Sequence, residues 1–138
     1  ESTRTIGGYG FPINEKGTDA TQLAISSFHL EALLKPGNMV LDRCYMDLIV
    51  YSEHMDIDDS TKNYIEDTWH RVKNEYTYYV YFPIEFESVD DGVRSIDEEW
   101  REDIDKSFKK LLEGVRQPYL TVTGSPMQRV DQILSFIK

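Results

Sequence analysis

Residues 78–82, Tyr78-Tyr79-Val80-Tyr81-Phe82, form a short aromatic and β-branched run that ends at Pro83. Such a run predicts a β-strand. Tyr119-Leu120-Thr121-Val122-Thr123 is a second run of this kind, and Met39-Val40-Leu41 is a shorter apolar candidate. Segments with helical periodicity separate the three. Strands that alternate with helices predict an α/β fold with a parallel sheet and helices on both of its faces.

Apolar residues at helical spacing predict five helices around these strands. They cover residues 18–34, 45–53, a segment opened by 56–60, a segment from 97 to 115, and 126–137. Residues 1–16 are rich in glycine and lack periodicity, which predicts a loop. We expect the apolar side chains of the first and last helices to face inward. In the first helix these are Leu23, Ile25, Phe28, Leu30, Ala32 and Leu34. In the last helix they are Val130, Ile133, Leu134 and Ile137.

Length and composition limit the classes of protein. The 138 residues, 40% of them hydrophobic, suit one domain. A formal net charge of -10 disfavours a nucleic-acid partner, and no apolar run is long enough for a membrane span. Cys44 is the single cysteine, which fits a reducing compartment, so we expect a cytoplasmic protein. The sequence leaves a homodimer open.

Ligands of parallel α/β folds bind beyond the carboxyl ends of the strands. Asp42-Arg43 follows the first predicted strand, Glu85 and Glu87 follow the second, and Gly124-Ser125 follows the third. The first pair is placed most tightly. Asp42 could order a metal-bound water or accept a hydroxyl proton, and Arg43 could hold a phosphate oxygen. Equally, Asp42 could simply cap the next helix.

Two further groups are candidates for ligand contacts. Asp91-Gly92-Val93-Arg94 leads toward Arg101, and two arginines on one face could neutralise a transferred phosphoryl group. The alternative is a solvated helix start in which Arg101 pairs with Asp97. Gln22 and His29 lie seven residues apart, and the Gln22 amide could bind a base edge.

The order of these motifs resembles the P-loop kinases of nucleosides, ribosyl-nicotinamide and nucleoside monophosphates. The matching pieces are Glu1-Ser2-Thr3-Arg4, Gln22, Val40-Leu41-Asp42-Arg43, Asp91 to Arg94 with Arg101, and Thr121 to Ser125 with Arg129. The resemblance covers nearly the whole chain. It implies ATP and Mg²⁺ as cofactors and a small nucleoside or nucleoside monophosphate as the acceptor.

The resemblance also implies roles for single residues. Glu1 would be a general base, Asp42 would support the metal, and Arg43, Arg94 and Arg101 would be catalytic. Arg4, Gln22 and Asp91 would bind the substrate. Gly124, Ser125 and Arg129 would lie near the adenine of ATP. Residues 88–103 would form a lid within a single partial domain, 1–138.

One departure from the family pattern is large. No G-x-x-x-x-G-K-[ST] motif occurs in the 138 residues, although this loop cradles the β- and γ-phosphates in P-loop kinases. We therefore expect the first strand-loop-helix of a P-loop-type sheet to be encoded outside these residues, and the segment alone to be inactive. The rival hypothesis is a degenerate kinase fold that acts as a binding or interaction protein.

Overall fold

The computed structural model describes residues 2–86 and 97–138. Within them lie six α-helices, two β-strands and a 3-10 turn at Asn14–Lys16. In chain order these are α1 (Ser2–Gly8), α2 (Asp19–Leu33), α3 (Tyr45–Glu53), α4 (Asp59–Val72), β1 (Tyr79–Tyr81), α5 (Glu98–Gly114), β2 (Tyr119–Thr121) and α6 (Pro126–Phe136).

β1 and β2 pair in parallel, with Tyr79 opposite Tyr119 and Tyr81 opposite Thr121. Helix α5 lies between them in the chain, as a parallel crossover requires. The Tyr81 hydroxyl donates a hydrogen bond to the Asp105 carboxylate of α5, which ties the sheet to this helix. The predicted parallel pairing is therefore confirmed for these two strands. The larger sheet with helices on both faces stays a prediction.

The core lies among α2, α3 and α4. Tyr45, Leu48 and Ile65 are at most 1% exposed, and Trp69 of α4 packs in the same cluster. The positions of α4 and α5 match the predicted helices closely. In α5, Ile104 and Leu112 are buried, and Phe108 packs against the core.

The predicted loop at residues 1–16 is wrong in part, because residues 2–8 form α1. Ile6 is only 2% exposed. It packs in the hydrophobic core cluster, and this tertiary contact outweighs the weak local helix signal. Gly10, with φ of 87°, lies at the end of the two-residue turn that follows the helix.

The predicted strand at Met39-Val40-Leu41 is wrong, because these residues are irregular. Val40 is fully exposed and Met39 is 42% exposed. Neither strand of the sheet that the structure describes pairs with this segment, and an unpaired run of three residues gains no ladder hydrogen bonds to hold it extended. Asp42 and Arg43 therefore do not follow a strand in this structure.

The inward faces predicted for α2 and α6 are also wrong in large part. In α2, Leu23, Phe28 and Leu34 are exposed, whereas the buried positions are Thr21, Gln22, Ile25, Ser26 and His29. Two of these polar side chains are buried with hydrogen-bond partners: the Thr21 hydroxyl donates to the Pro12 carbonyl at 2.8 Å, and the Ser26 hydroxyl lies 2.8 Å from the Tyr45 hydroxyl. Helix α6 contains no buried residue.

Candidate functional site

A polar cluster joins the carboxyl ends of the two strands. Because β1 and β2 are parallel, the segments that leave them emerge at one edge of the sheet. The Glu85 carboxylate accepts the backbone N–H of Gly124 at 3.2 and 3.3 Å and binds the Arg129 guanidinium. The Arg129 Nε–H donates to the Gly124 carbonyl at 2.8 Å. Three predicted residues, Gly124, Ser125 and Arg129, are thus brought together.

Local sequence explains how this edge is built. Gly124 has a φ of 90°, which favours glycine, and a Cβ there would lie 2.6 Å from the Gln128 side-chain oxygen. Ser125 begins α6 with a capping box: the Gln128 side chain accepts its backbone N–H at 2.8 Å. The turn therefore holds the Gly124 carbonyl and the Arg129 side chain in one fixed arrangement.

Two aromatic rings complete this edge. The Arg129 guanidinium carbon lies 5.6 Å from the ring centres of both Phe82 and Phe86. Phe86 is 68% exposed. A cation stacked on exposed rings provides a flat surface of the kind that binds nucleobases. Two nitrogens of Arg129 donate to protein groups, Nε to the Gly124 carbonyl and Nη2 to Glu85, so Arg129 holds the turn against the rings.

The other predicted pair, Asp42 and Arg43, lines a cavity of about 300 Å³. α1, α2 and the turn before α3 enclose it. Its other lining residues are Ser2, Thr5, Phe28, His29, Glu31, Ala32, Lys35 and Leu41. Arg4, predicted to contact substrate, is exposed on α1 between two of these lining positions. Cationic, anionic and hydroxyl groups thus share one opening.

Arg43 is held in an unusual backbone conformation, with φ of 79°. Its Nη1 lies 2.7 Å from Asp47 Oδ1, and the other Asp47 oxygen accepts the Cys44 N–H at 2.9 Å. The Asp47 carboxylate raises the pKa of Arg43, and the nearby Tyr51 acts in the same direction. The alternative in which Asp42 caps α3 is wrong, since Cys44 is the N-cap residue.

Burial changes the chemistry of two groups near this cavity. Burial lowers the pKa of His29, an effect that the Asp47 charge opposes. Burial raises the pKa of the Cys44 thiol to about 12. The thiol therefore stays protonated at neutral pH, which makes it a poor nucleophile.

Gln22 is buried, at 1% exposure. Its Nε2 lies 2.9 Å from the Met55 sulfur. No residue in the described part of the chain donates a hydrogen bond to its Oε1. The amide oxygen is therefore an acceptor that the fold leaves unused, on the same face of α2 as His29.

The first turn of α5 contacts one aromatic residue near each group of predicted residues. Asp97 begins the helix by accepting the Trp100 backbone N–H at 3.0 Å. The Trp100 ring meets Tyr51 edge-on, with centroids 5.3 Å apart. Burial raises the pKa of Tyr51, and the nearby charge of Arg43 opposes this rise. Arg101 Nη2 lies 3.5 Å from the Phe86 carbonyl oxygen. Arg43 and Arg129 are therefore each linked through one aromatic residue to this turn.

Three predicted site residues, Glu1, Asp91 and Arg94, lie outside the described residues, as does most of the predicted 88–103 lid. Sequence reasoning noted Glu85 without choosing it, and it did not single out Tyr51, Phe86 or Trp100. The signal for Glu85 was its place three residues after a predicted strand. No local pattern in the sequence marks Tyr51, Phe86 or Trp100 as site residues, because their contacts are with residues that are distant in the chain.

A magnesium ion fits the donor set at Asp42. Among residues 2–86 and 97–138, no group of three or more histidine, cysteine or carboxylate side chains could hold a metal ion. Mg²⁺ is usually bound through one or two carboxylates together with substrate phosphates. The single exposed carboxylate of Asp42 beside a cavity suits that kind of shared site.

Two parallel strands with a glycine turn and charged groups at their carboxyl edge are typical of nucleotide-binding α/β proteins. The family model of the AAA domain matches residues 18–129. The chain therefore belongs to this family of P-loop NTPases, whose domains generally bind nucleotide with Mg²⁺. Searches of curated proteins and of solved structures found no significant match. None of the described helices has the length and apolarity to cross a membrane.

Proposed function

We propose that the protein is an ATP-dependent phosphotransferase that phosphorylates a small nucleoside or nucleoside monophosphate. The observation that carries this proposal is that one helix turn contacts two aromatic residues, Tyr51 near Arg43 and Phe86 next to Arg129. Trp100 packs on Tyr51 beside Arg43, and Arg101 reaches Phe86 beside Arg129. Family membership supports nucleotide binding, and the shared turn supports one site between the two groups.

In this proposal the residues divide the work by position. The adenine of ATP binds at the edge formed by Gly124, Ser125 and Arg129, and Asp42 supports Mg²⁺. Arg43 and Arg101, with Arg94, neutralise the transferred phosphoryl group. Arg4, Gln22 and Asp91 bind the acceptor. The acceptor oxygen attacks the γ-phosphorus, the bond to the ADP oxygen breaks, and Glu1 takes the acceptor proton.

Positioning and charge neutralisation supply most of the rate in such a reaction. The unused Oε1 of Gln22 supports a role in acceptor recognition, because a base amino or imino group could donate to it. The Nε2 group is already directed at the Met55 sulfur. The amide would therefore discriminate bases through its oxygen alone.

The test is ADP release by the purified full-length protein, not by residues 1–138 alone, with Mg-ATP and a panel of nucleosides and nucleoside monophosphates. We expect turnover with a narrow set of acceptors. Arg43→Lys should lower kcat/KM by about tenfold to a hundredfold, because a lysine cannot reproduce paired phosphate contacts. Arg71→Lys, an exposed change on α4, is the matched control and should have no effect. The absence of phosphorylated product across the whole panel would count against the proposal.

A second candidate function is a degenerate kinase fold that binds a partner without catalysis. It is favoured by the absence of the G-x-x-x-x-G-K-[ST] motif from the 138 residues and by the exposed apolar side chains of α6, among them Met127 and Leu134. Calorimetric titration with Mg-ATP separates the two. Nucleotide binding with turnover supports the enzyme, whereas a protein that binds neither nucleotide nor acceptor supports the binding function.

The remaining features of the proposal concern context. We propose that residues 1–138 act as one unit, that residues 88–103 serve as the lid, and that the protein works in the cytoplasm on small molecules. Neither nucleic acid nor membrane is a proposed partner, because the net charge is -10. A homodimer is compatible with the proposal.

A further inference from the structure

Two residues of the turn between β2 and α6, Thr123 and Gly124, bond other parts of the protein with all of their backbone groups. The N–H and the C=O of Thr123 both bond the side-chain amide of Gln132, at 3.3 and 2.9 Å. The N–H of Gly124 donates to the Glu85 carboxylate, and its C=O accepts the Arg129 Nε–H. All four groups are therefore engaged before a ligand arrives.

The next residue of the turn, Ser125, is engaged in the same way. Its N–H donates to the Gln128 side-chain oxygen at 2.8 Å, and its C=O accepts the backbone N–H of Arg129 at 3.0 Å. Bases differ in the pattern of donors and acceptors along their edges, so reading a base edge requires free donors and acceptors in the protein. A backbone group of this turn could bond a base only by giving up a bond that it already has, and the net gain would be small.

The aromatic surface beside this turn is open. Phe86 is 68% exposed and Phe82 is 52% exposed, and the Arg129 guanidinium carbon lies 5.6 Å from each ring centre. Glu85 neutralises that guanidinium, so the pair carries no net charge and suits an uncharged base better than a phosphate. Stacking on an aromatic ring tolerates any base, since every base has a π-face.

We propose that this surface binds the base of the phosphate donor by stacking on Phe86 and accepts adenine and guanine alike. The inference rests on the proposed function, in which the adenine of ATP binds at this edge, and it adds the substrate class, purine nucleoside triphosphates in general. Phe86 contacts the base, whereas the turn fixes Arg129 and so holds the ring in place. Selection of the donor then depends on the size of the base and not on its hydrogen-bonding groups.

Calorimetric titration of the full-length protein tests this selectivity. The probes are Mg-ATP, Mg-GTP, Mg-CTP and magnesium tripolyphosphate, which carries no base. We expect the Kd values of Mg-ATP and Mg-GTP to agree within about fivefold, that of Mg-CTP to be higher because its single ring offers less stacking surface, and that of tripolyphosphate to be the highest. A preference of more than about fivefold for one purine, the least that hydrogen bonds to a base edge provide, would overturn the inference. Binding of tripolyphosphate as tight as that of Mg-ATP would also overturn it.

The variant Phe86→Leu tests the stacking, since it keeps an apolar side chain and removes the π-face. We expect the Kd values of Mg-ATP and Mg-GTP to rise about tenfold, while that of tripolyphosphate stays within about twofold. Phe86→Tyr keeps the ring and should bind both nucleotides as the wild type does. Tyr64→Leu removes an exposed ring of α4, so it is the matched control and should change no Kd.

Thermal unfolding of each variant checks that the fold is retained. If Phe86→Leu binds both nucleotides as tightly as the wild type, the inference is wrong. It is also wrong if Phe86→Tyr binds them as weakly as Phe86→Leu, because the ring would then not be the cause of the loss.

Failure of the inference and failure of the proposed function have different signatures. If the protein phosphorylates an acceptor with Mg-ATP but not with Mg-GTP, and Phe86→Leu retains the wild-type Kd, the inference is wrong and the proposed function stands. If both purine nucleotides bind through Phe86 but no acceptor is phosphorylated, the base site is real and the proposed function is wrong. If no nucleotide binds, both are wrong.

Discussion

The helical segment α2–α4 and the C-terminal segment 119–138 are held in place in different ways. In the first, Tyr45, Leu48 and Ile65 are at most 1% exposed. In the second, Val122 alone is buried, and contacts of Glu85 with Gly124 and Arg129 fix the chain at the sheet edge. Burial therefore stabilises the helical segment, whereas charge-assisted hydrogen bonds set the geometry of the C-terminal part of the candidate site.

Truncating the core of the helical segment should have the largest effect on stability. Ile65→Ala should lower the free energy of unfolding by about 3 kcal/mol, because Ile65 is fully buried and its loss leaves a cavity. Urea denaturation measures this change. Ile137→Ala is the matched control, since Ile137 is 44% exposed, and it should cost under about 1 kcal/mol. Similar losses in both variants would show that the two segments do not differ in this way.

Removing one charge from the sheet edge should have the next largest effect. Glu85→Gln should cost about 1–2 kcal/mol, because it weakens charge-assisted bonds to Arg129 and to the Gly124 N–H. This figure is low for such bonds because the two side chains keep 17% and 25% exposure and are partly screened.

Urea denaturation at two salt concentrations measures the Glu85→Gln effect, which should shrink at high salt. Asp103→Asn is the control, because the Asp103–Lys106 pair is a surface pair within one helix. We expect no measurable change in the free energy of unfolding from this substitution. A Glu85→Gln variant as stable as the wild type would mean that the turn at Gly124 holds this edge without the carboxylate.

The two segments also differ in how far sequence predicts them. Strands and helices from residue 79 onward follow from local patterns, such as the β-branched runs and the cap at Ser125. The buried face of α2 does not follow from local patterns. Ser26 is buried there because its hydroxyl forms a 2.8 Å hydrogen bond with the buried hydroxyl of Tyr45 on α3. Apolar periodicity cannot reveal a polar face whose partners lie on another helix.

The candidate site shows the same limit. Gly124, Ser125 and Arg129, which the family resemblance grouped, lie in one turn at the edge of the sheet, and their roles stay a prediction. The contribution of Glu85 depends on the register of β1 against β2, which the sequence does not state. At Met39-Val40-Leu41 the sequence predicted a strand that the structure does not contain. The composition suits a strand, but a strand also needs a neighbouring strand to pair with.

A pH titration sharpens the contrast through His29 of the helical segment. Burial lowers the pKa of this imidazole from its ordinary value of 6.5. As the pH falls from about 6.5 toward the lower pKa of the folded state, the unfolded chain takes up a proton that the folded chain does not, so stability declines.

His29→Gln should remove this part of the pH dependence, which cannot exceed one proton per molecule. Unfolding free energies measured at several values between pH 5 and 8 provide the comparison. His70→Gln, an exposed change on α4, is the control and should leave the slope unaltered. If the unfolding free energy of His29→Gln depends on pH as steeply as that of the wild type, the dependence comes from other groups. The buried imidazole would then contribute nothing to it.

The smallest effect on stability is expected on α6. Leu134→Ser replaces a side chain that is 50% exposed and belongs to an apolar row with Met127 and Val130. If solvent contacts this row, the free energy of unfolding should change by less than about 0.5 kcal/mol. It should also be independent of protein concentration. A loss above 1.5 kcal/mol, or a Tm that rises with concentration in the wild type alone, would mean that another surface covers α6 in solution. The C-terminal segment would then resemble the helical segment, stabilised by burial that the single chain does not provide.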